Sequence, residues 1–194
     1  MTTAVSPTPP TKSRILIGSC GSLDLTMLPF YLRAIKDSID CNLSLMLTPN
    51  AVRFVNTDTL ALLVDRLIHS DRPEHWSTDK PGRIAAEHDL LAVLPTTANT
   101  LSGVANGSSQ NRLTTVILAA DFPVLFFPVM GGPMWEKASV QRNVTQIRGD
   151  GYEVFQPVWR EHNDPHLQKV HGHHSLPEPS DVVEIIRSRL PNAD

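Results

Sequence analysis

The chain has 194 residues, 41% of them hydrophobic, and a formal net charge of −3, which is the size and balance of one globular domain with a buried core. A mildly acidic chain supplies no general field for nucleic acid or an anionic membrane, and no apolar run approaches the roughly 20 residues of a membrane helix. Two cysteines, Cys20 and Cys41, are too few for a disulfide framework, so a cytoplasmic protein with no nucleic-acid and no membrane partner is expected.

In chain order, residues 1–13 are Thr/Pro/Ser-rich and are expected to be a disordered lead-in rather than a signal peptide, with a single domain over 14–194. Residues 14–19 are apolar and end in Gly18 and Ser19, which predicts a strand running into the loop Cys20-Gly21-Ser22. Leu25, Leu28, Tyr31, Leu32 and Ile35 recur at helical spacing, predicting a helix over 24–38 with Asp24 as N-cap and Pro29 in the first turn. A second strand is expected over 42–48, ending at Pro49-Asn50. A helix over 57–68 follows, with Leu60, Leu63, Val64 and Leu67 on one face.

Residues 70–81 read as a polar loop and 84–88 as a short helix. A buried strand over 89–94 runs into the turn Thr96-Thr97-Ala98-Asn99-Thr100, and helices are expected over 101–106 and 113–120. The apolar run 124–129 reads as a strand broken by Gly131-Gly132-Pro133, followed by a helix over 134–147 and a last strand over 152–155. Beyond Pro157 lies a polar stretch rich in histidine, then a helix over 179–190 capped by Ser180.

Alternating strands and helices with near-continuous apolar strands predict an α/β parallel sheet with helices on both faces. Such sheets bind ligands beyond the carboxyl ends of their strands. Those ends carry Gly18-Ser19, Thr48, Thr96–Thr100 and Met130-Gly131-Gly132.

Read as chemistry, each segment leaves two possibilities open. Gly18–Ser22 is either a phosphate cradle, with Thr48 adding a hydroxyl, or a plain strand-to-helix turn. Thr96–Thr100 either reads the edge of a planar ring or is an ordinary Thr/Asn turn. Met130-Gly131-Gly132-Pro133-Met134-Trp135 is either core beside a turn or a polarizable wall for a sulfur-bearing or planar ligand. His171, His173 and His174, with His162 and His166, lack the Cys or carboxylate spacing of a zinc site, so no metal is expected.

Leu94–Thr100 resembles the Pro-Ala-Ser-Ala-Asn-Thr motif of the homo-oligomeric flavin-containing cysteine decarboxylases. Pro128–Trp135 resembles that family's Pro-x-Met-Asn-x-x-Met-Trp substrate motif. Between them, Ala105-Asn106-Gly107 and Asn111-Arg112-Leu113-Thr114-Thr115 are similar to the epidermin-type lantibiotic decarboxylases, as is Phe54-Val55-Asn56-Thr57-Asp58. The resemblance covers residues 14–157.

It implies a three-layer flavodoxin-like (Rossmann-like) fold and trimers that often pair into dodecamers. It also implies a flavin, FMN or FAD, held by Gly18, Ser19, Cys20, Gly21, Ser22, Thr48, Phe54, Thr96, Thr97, Ala98, Asn99, Thr100 and Asn111. Asn99 would act at the reacting centre, and Met130, Gly131, Gly132, Met134 and Trp135 would hold substrate. Residues 157–178 correspond to a mobile clamp over the peptide.

The implied activity is oxidative decarboxylation of the C-terminal cysteine of a precursor peptide, leaving an enethiol. Two positions depart from the pattern. Pro81 stands where a catalytic histidine is expected, which makes His75 the candidate base. Gly131 stands where an asparagine would grip the carboxylate, a task left to the Gly131 and Gly132 amides or to Arg160, Lys169 and the histidines. Alternatives are phosphopantothenoylcysteine decarboxylase and a non-catalytic flavin-binding regulatory subunit.

Overall fold

The structure, a computed structural model, describes residues 12–69, 77–164 and 168–191. In chain order it begins with β1 (Ser13–Ser19), α1 (Leu28–Ser38), β2 (Cys41–Leu47), α2 (Thr57–Ala61), β3 (Arg66–His69), α3 (Pro81–Ala86) and β4 (Leu90–Thr96). It continues with α4 (Ala98–Ala105), α5 (Arg112–Ala119), β5 (Val124–Pro128), β6 (Met130–Gly131), α6 (Gly132–Trp135), α7 (Ala138–Gly149), β7 (Glu153–Val154), β8 (Val158–Asp164), β9 (Lys169–Ser175) and α8 (Pro179–Arg187).

Six strands form a parallel sheet in the order β3-β2-β1-β4-β5-β7. This is the doubly wound, Rossmann-like arrangement, with its reversal of strand order between β1 and β4.

Alternate side chains along each strand supply two cores. Ile15 and Ile17 of β1, Leu43 and Leu45 of β2 and Leu125 and Phe127 of β5 pack toward α1 and α8. Leu16, Met46, Leu91, Val93 and Phe126 pack on the opposite face with Leu101 of α4, Leu113 and Ile117 of α5, and Val144 and Ile147 of α7. The period-two alternation of a strand makes every residue apolar when both faces are covered. Each fully buried Leu, Ile or Phe contributes about 1.5–3 kcal/mol.

The structure redraws several predicted elements. The helix expected over 57–68 stops at Ala61, and Arg66–His69 instead pairs with β2, Leu67 beside Leu45 and Ile68 beside Met46. Helical spacing of the leucines is outweighed here by the backbone bonds available along an open sheet edge. Asp65 fixes the entry: its carboxylate accepts the Leu43 amide at 2.7 Å and Lys36 Nζ at 2.8 Å. Those bonds, the lysine's foremost, hold it below the usual carboxylate range.

The first helix is split. A 3-10 turn over Leu23–Met27 precedes α1, so Pro29 does fall in a first helical turn, but Asp24 is no helix cap and accepts the Ser175 hydroxyl instead. The helix expected over 84–88 begins at Pro81 and that over 101–106 at Ala98, while 134–147 divides into α6 and α7. Ser180 lies inside α8, whose N-cap is Glu178.

Tyr31 ties α1 to the chain entering α8, its hydroxyl donating to the Pro177 carbonyl at 2.6 Å. Burial, reinforced by Glu178, pushes its phenol up to about 12 from 10.0, and burial pushes the Cys41 thiol up to about 11 from 9.0. Both groups keep their protons longer folded than unfolded. Their contribution is therefore complete below the unfolded values and is lost as pH rises through the folded ones. Melting temperature is expected to fall progressively above pH 9. Tyr31→Phe should shrink the upper part of that fall and cost about 1 kcal/mol at neutral pH. Identical alkaline profiles for variant and wild type would refute this role.

Candidate cofactor and substrate site

The ends of β1, β2 and β4 are bolted together where the strand order reverses. Ser19 Oγ donates to the Leu94 carbonyl at 2.6 Å, the Cys20 amide to Pro95 O at 3.0 Å, and the Thr48 amide to Ser19 O at 2.9 Å. Gly18 lets α5 lie directly on β1, since a Cβ there would stand 2.5 Å from Leu113 Cδ1. Thr96–Thr100 is not a turn. Thr96 ends β4 with its hydroxyl donating to Val93 O at 2.6 Å, Thr97 is the N-cap of α4, and Ala98, Asn99 and Thr100 form the first helical turn.

Above these ends lies a cleft of about 450 Å³. Of the predicted cofactor residues, Cys20, Gly21, Thr48, Thr97, Ala98, Asn99, Thr100 and Asn111 line it, and Met134 stands at its rim. Phe54 lines an adjoining cavity of about 480 Å³ that shares Gly21 and Asn50 with the first. Gly18, Ser19 and Thr96 are buried beneath as support rather than lining. Asn50 and Gln110 also line the cleft. Asn50 lies two residues beyond Thr48 and Gln110 directly precedes Asn111, so extending those two sequence segments by two residues would have found them. Burial pushes the Cys20 thiol up, partly offset by its contact with Thr100 Oγ1 at 3.1 Å, so it remains a neutral sulfhydryl at the cleft floor.

A second cavity, about 360 Å³, is lined by Ser22, Leu23, Asp24, Val129, Met130, Gly131 and His173. The stretch after Pro157 builds one of its walls. β8 and β9 form an antiparallel hairpin, and β9 continues onto β6 with Met130 opposite His174 and Gly131 opposite His173. His174 packs between the Trp135 and Trp159 rings at 5.6 and 5.1 Å, and burial lowers its pKa. Two glycines seat Trp159: a Cβ on Gly132 would meet its ring at 2.7 Å, and one on Gly172 would overlap it outright. Of the other predicted substrate residues, Trp135 is buried beside this hairpin and Met134 is exposed.

His75 lies outside the described residues. Pro81 opens α3, and His88 belongs to the far end of the sheet, just before β4 begins. Its imidazole bonds Ile84 O at 2.6 Å and Ser44 Oγ at 2.9 Å, and burial lowers its pKa, as befits a packed structural residue. Among the described residues, no group of three or more His, Cys, Asp or Glu is placed to hold a metal ion, and no helix is long and apolar enough to cross a membrane.

A family model described as Flavoprotein matches residues 4–191. The chain belongs to the Flavoprotein family. Among its relatives is the mersacidin decarboxylase of Bacillus sp. (strain HIL-Y85/54728), 32% identical over 145 residues, which are 75% of this chain and 74% of the relative. Among solved structures, the epidermin biosynthesis protein EpiD from Staphylococcus aureus superposes with a TM-score of 0.81 at 25% identity, covering 89% of this chain and 99% of that one. The FMN-dependent cysteine decarboxylase TvaF from thioviridamide biosynthesis superposes at 0.70 with 33% identity, covering 76% and 91%.

The cofactor of this Flavoprotein-family chain is a flavin, and the cleft fits one. Hydroxyls of Thr48 and Thr97 and amides of Asn99, Gln110 and Asn111 offer donors and acceptors for a phosphate and a polar ring edge. Gly21 keeps the cleft open where a Cβ would stand 3.0 Å from the Asn50 backbone.

Proposed function

We propose that this chain is a flavin-dependent enzyme that oxidatively decarboxylates the C-terminal cysteine of a ribosomally made precursor peptide, leaving an enethiol. One observation carries the reading: the cofactor cleft and the second cavity meet at the β1 loop, with Gly21 lining the first and its neighbour Ser22 the second, across from Met130-Gly131. A peptide terminus entering the second cavity lies beside the cofactor. Similarity to the mersacidin decarboxylase and to the FMN-dependent cysteine decarboxylase of thioviridamide biosynthesis supports the same substrate class.

The residues that would hold the flavin are those lining the cleft, Thr48, Thr97–Thr100 and Asn111 above all, with Gly18, Ser19 and Thr96 fixing the loops that carry them. A bound flavin supplies a two-electron oxidant for the cysteine Cβ–thiol unit, which turns the sulfur into the acceptor of the electron pair released with CO2. Asn99, exposed in the first turn of α4, orients the reacting cysteine against the cofactor. The Met130–Trp135 segment and the hairpin shield the reacting carbons from water. Cys20, kept protonated by burial, does not compete as a nucleophile. His75 takes the thiol proton, and residues 157–178 close over the peptide.

Similarity to an FMN-dependent enzyme favours FMN. Exposed Leu23, Phe54 and Met134 border the cavities and support burial in the trimer that the family resemblance implies, itself able to pair into a dodecamer. The buried, unbridged cysteines Cys20 and Cys41 support a cytoplasmic location.

The test is to incubate the yellow protein with peptides ending in cysteine and to measure a loss of about 46 Da, two hydrogens plus CO2, the chemistry assigned to the cofactor. Loss with phosphopantothenoylcysteine but with no peptide would sink the reading. His75→Ala should retain flavin and lose turnover by about 100-fold or more, the scale of a general base. Unchanged turnover would remove His75 from the mechanism.

A further inference from the structure

A cysteine-terminated peptide presents a carboxylate that has to be held until it leaves, and Gly131 brings no side chain to hold it. Opposite Gly131 in the antiparallel register stands His173. Alternation along β9 sends successive side chains to opposite faces. His174 is packed against Trp135 and Trp159, while His173 lines the 360 Å³ cavity together with Ser22, Asp24 and Gly131.

Two more observations mark this cavity as a receptor for a polar group. Ser22 Oγ is buried without a hydrogen-bond partner among the described residues, and a buried hydroxyl left unpaired costs about 1–3 kcal/mol unless a ligand takes it. Leu23, Val129 and Met130 make the rest of the wall apolar, which strengthens each polar contact made inside it. Asp24 faces the same space with its carboxylate occupied by the Ser175 hydroxyl. A carboxylate ligand therefore needs a counterpart to Asp24, and His173 is the side chain here able to carry positive charge.

We infer that His173 and Ser22 together grip the terminal carboxylate of the substrate cysteine, from β9 and the β1 loop, in place of the side chain that Gly131 lacks. The inference rests on the peptidyl-cysteine reading above. His173 is a substrate-binding residue whose position is set by its neighbour: Trp159 in its glycine seat and His174 between two indoles pin β9.

Gly131 offers a second-site test. Its backbone, at φ −59° and ψ 147°, suits any residue, and a Cβ there would meet nothing within 4 Å. An asparagine fits.

The experiment uses the flavin-loaded protein and two serine-terminated peptides, inert for lack of a thiol, one a free acid and one a carboxamide. Isothermal titration of the wild type should show the acid binding at least about tenfold tighter, as a charge-assisted contact requires. His173→Ala should abolish that preference and raise KM for the cysteine peptide about tenfold while kcat changes less. Ser22→Ala should reduce the preference about threefold. Gly131→Asn in the His173→Ala background should restore it, and His173→Asn should retain part of it, with flavin absorbance confirming that each variant is folded.

If wild type removes the expected mass and His173→Ala keeps both its KM and its preference for the acid, the grip is wrong and the functional reading stands. If wild type acts on no cysteine-terminated peptide, the functional reading fails and the grip falls with it.

Discussion

Gly21→Val is expected to give a folded but colourless protein. At this position a Cβ would stand 3.0 and 3.1 Å from the Asn50 carbonyl carbon and oxygen and 3.2 Å from the Ala51 nitrogen. These are backbone atoms of the loop that forms the facing wall of the cleft, so the clash is not relieved by turning a side chain aside. Valine adds two methyl groups in a space bordered by Thr48, Asn50 and Thr97. An overpacking cost of about 1–3 kcal/mol falls mainly on the flavin-bound form, because the empty cleft has room to relax. Flavin affinity is expected to drop about 100-fold, some 2.7 kcal/mol. Apoprotein titration with flavin, followed by fluorescence, measures it, and the melting temperature of the apoprotein should stay within a few degrees of wild type. A variant that purifies yellow with wild-type affinity would show that the cofactor lies elsewhere.

Gly172→Val should leave the flavin in place and cripple peptide binding. Any Cβ at residue 172 overlaps the Trp159 indole, which also rests on Gly132 and faces His174. Trp159 has to leave its seat, and with it goes the packing that holds β9 against β6. Among the described residues, none of the hairpin lines the proposed flavin cleft, so cofactor binding is insulated from the change. Losing about 2–3 kcal/mol from the docked hairpin corresponds to a 30- to 150-fold rise in KM for the peptide, with flavin absorbance retained. Trp159→Ala in the same background removes the overlap and should recover thermal stability without recovering KM. Equal KM values for Gly172→Val and wild type would remove the hairpin from substrate binding.

The two halves of the site were not equally visible in the amino-acid sequence. Thr48, Thr97–Thr100 and the Cys20-Gly21 loop follow directly from one rule, that doubly wound sheets bind ligands beyond their strand ends, and all of them line the cleft, whereas Asn111, also in the lining, was pointed to by family resemblance alone. The apolar runs behind them are local properties and mark the strands without tertiary information. Ser22 was read with the flavin-binding Gly18–Ser22 loop but lines the second cavity instead, and His173 had no comparable signal. Their meeting depends on a hairpin whose charged and histidine-rich sequence hides its period, and on the register that sets Gly131 opposite His173. Trp159 was silent for the same reason: nothing along the chain says that its indole will lie over Gly132 and Gly172.

The edge strand β3 shows where local spacing misleads. Leu60, Leu63, Val64 and Leu67 have a helix's period, yet helix formation gives way after Ala61 because Leu67 and Ile68 gain backbone bonds to β2 and Ile68 is buried beside Met46. Thr96–Thr100 shows the converse. As a string it reads as a turn, whereas docking against Cys20 and the β1 end makes Thr97 a helix cap and turns Asn99 toward the cleft lining.

By itself the sequence determined the alternation of buried strands and helices and the strand ends that line the cleft, because each is written in contiguous residues. The tertiary structure alone decided which strand became the sheet edge, how the His-rich segment folded back as a hairpin and which side chain faces Gly131. Those outcomes hang on pairing register and on contacts between residues far apart in the chain, which short-range periodicity does not encode.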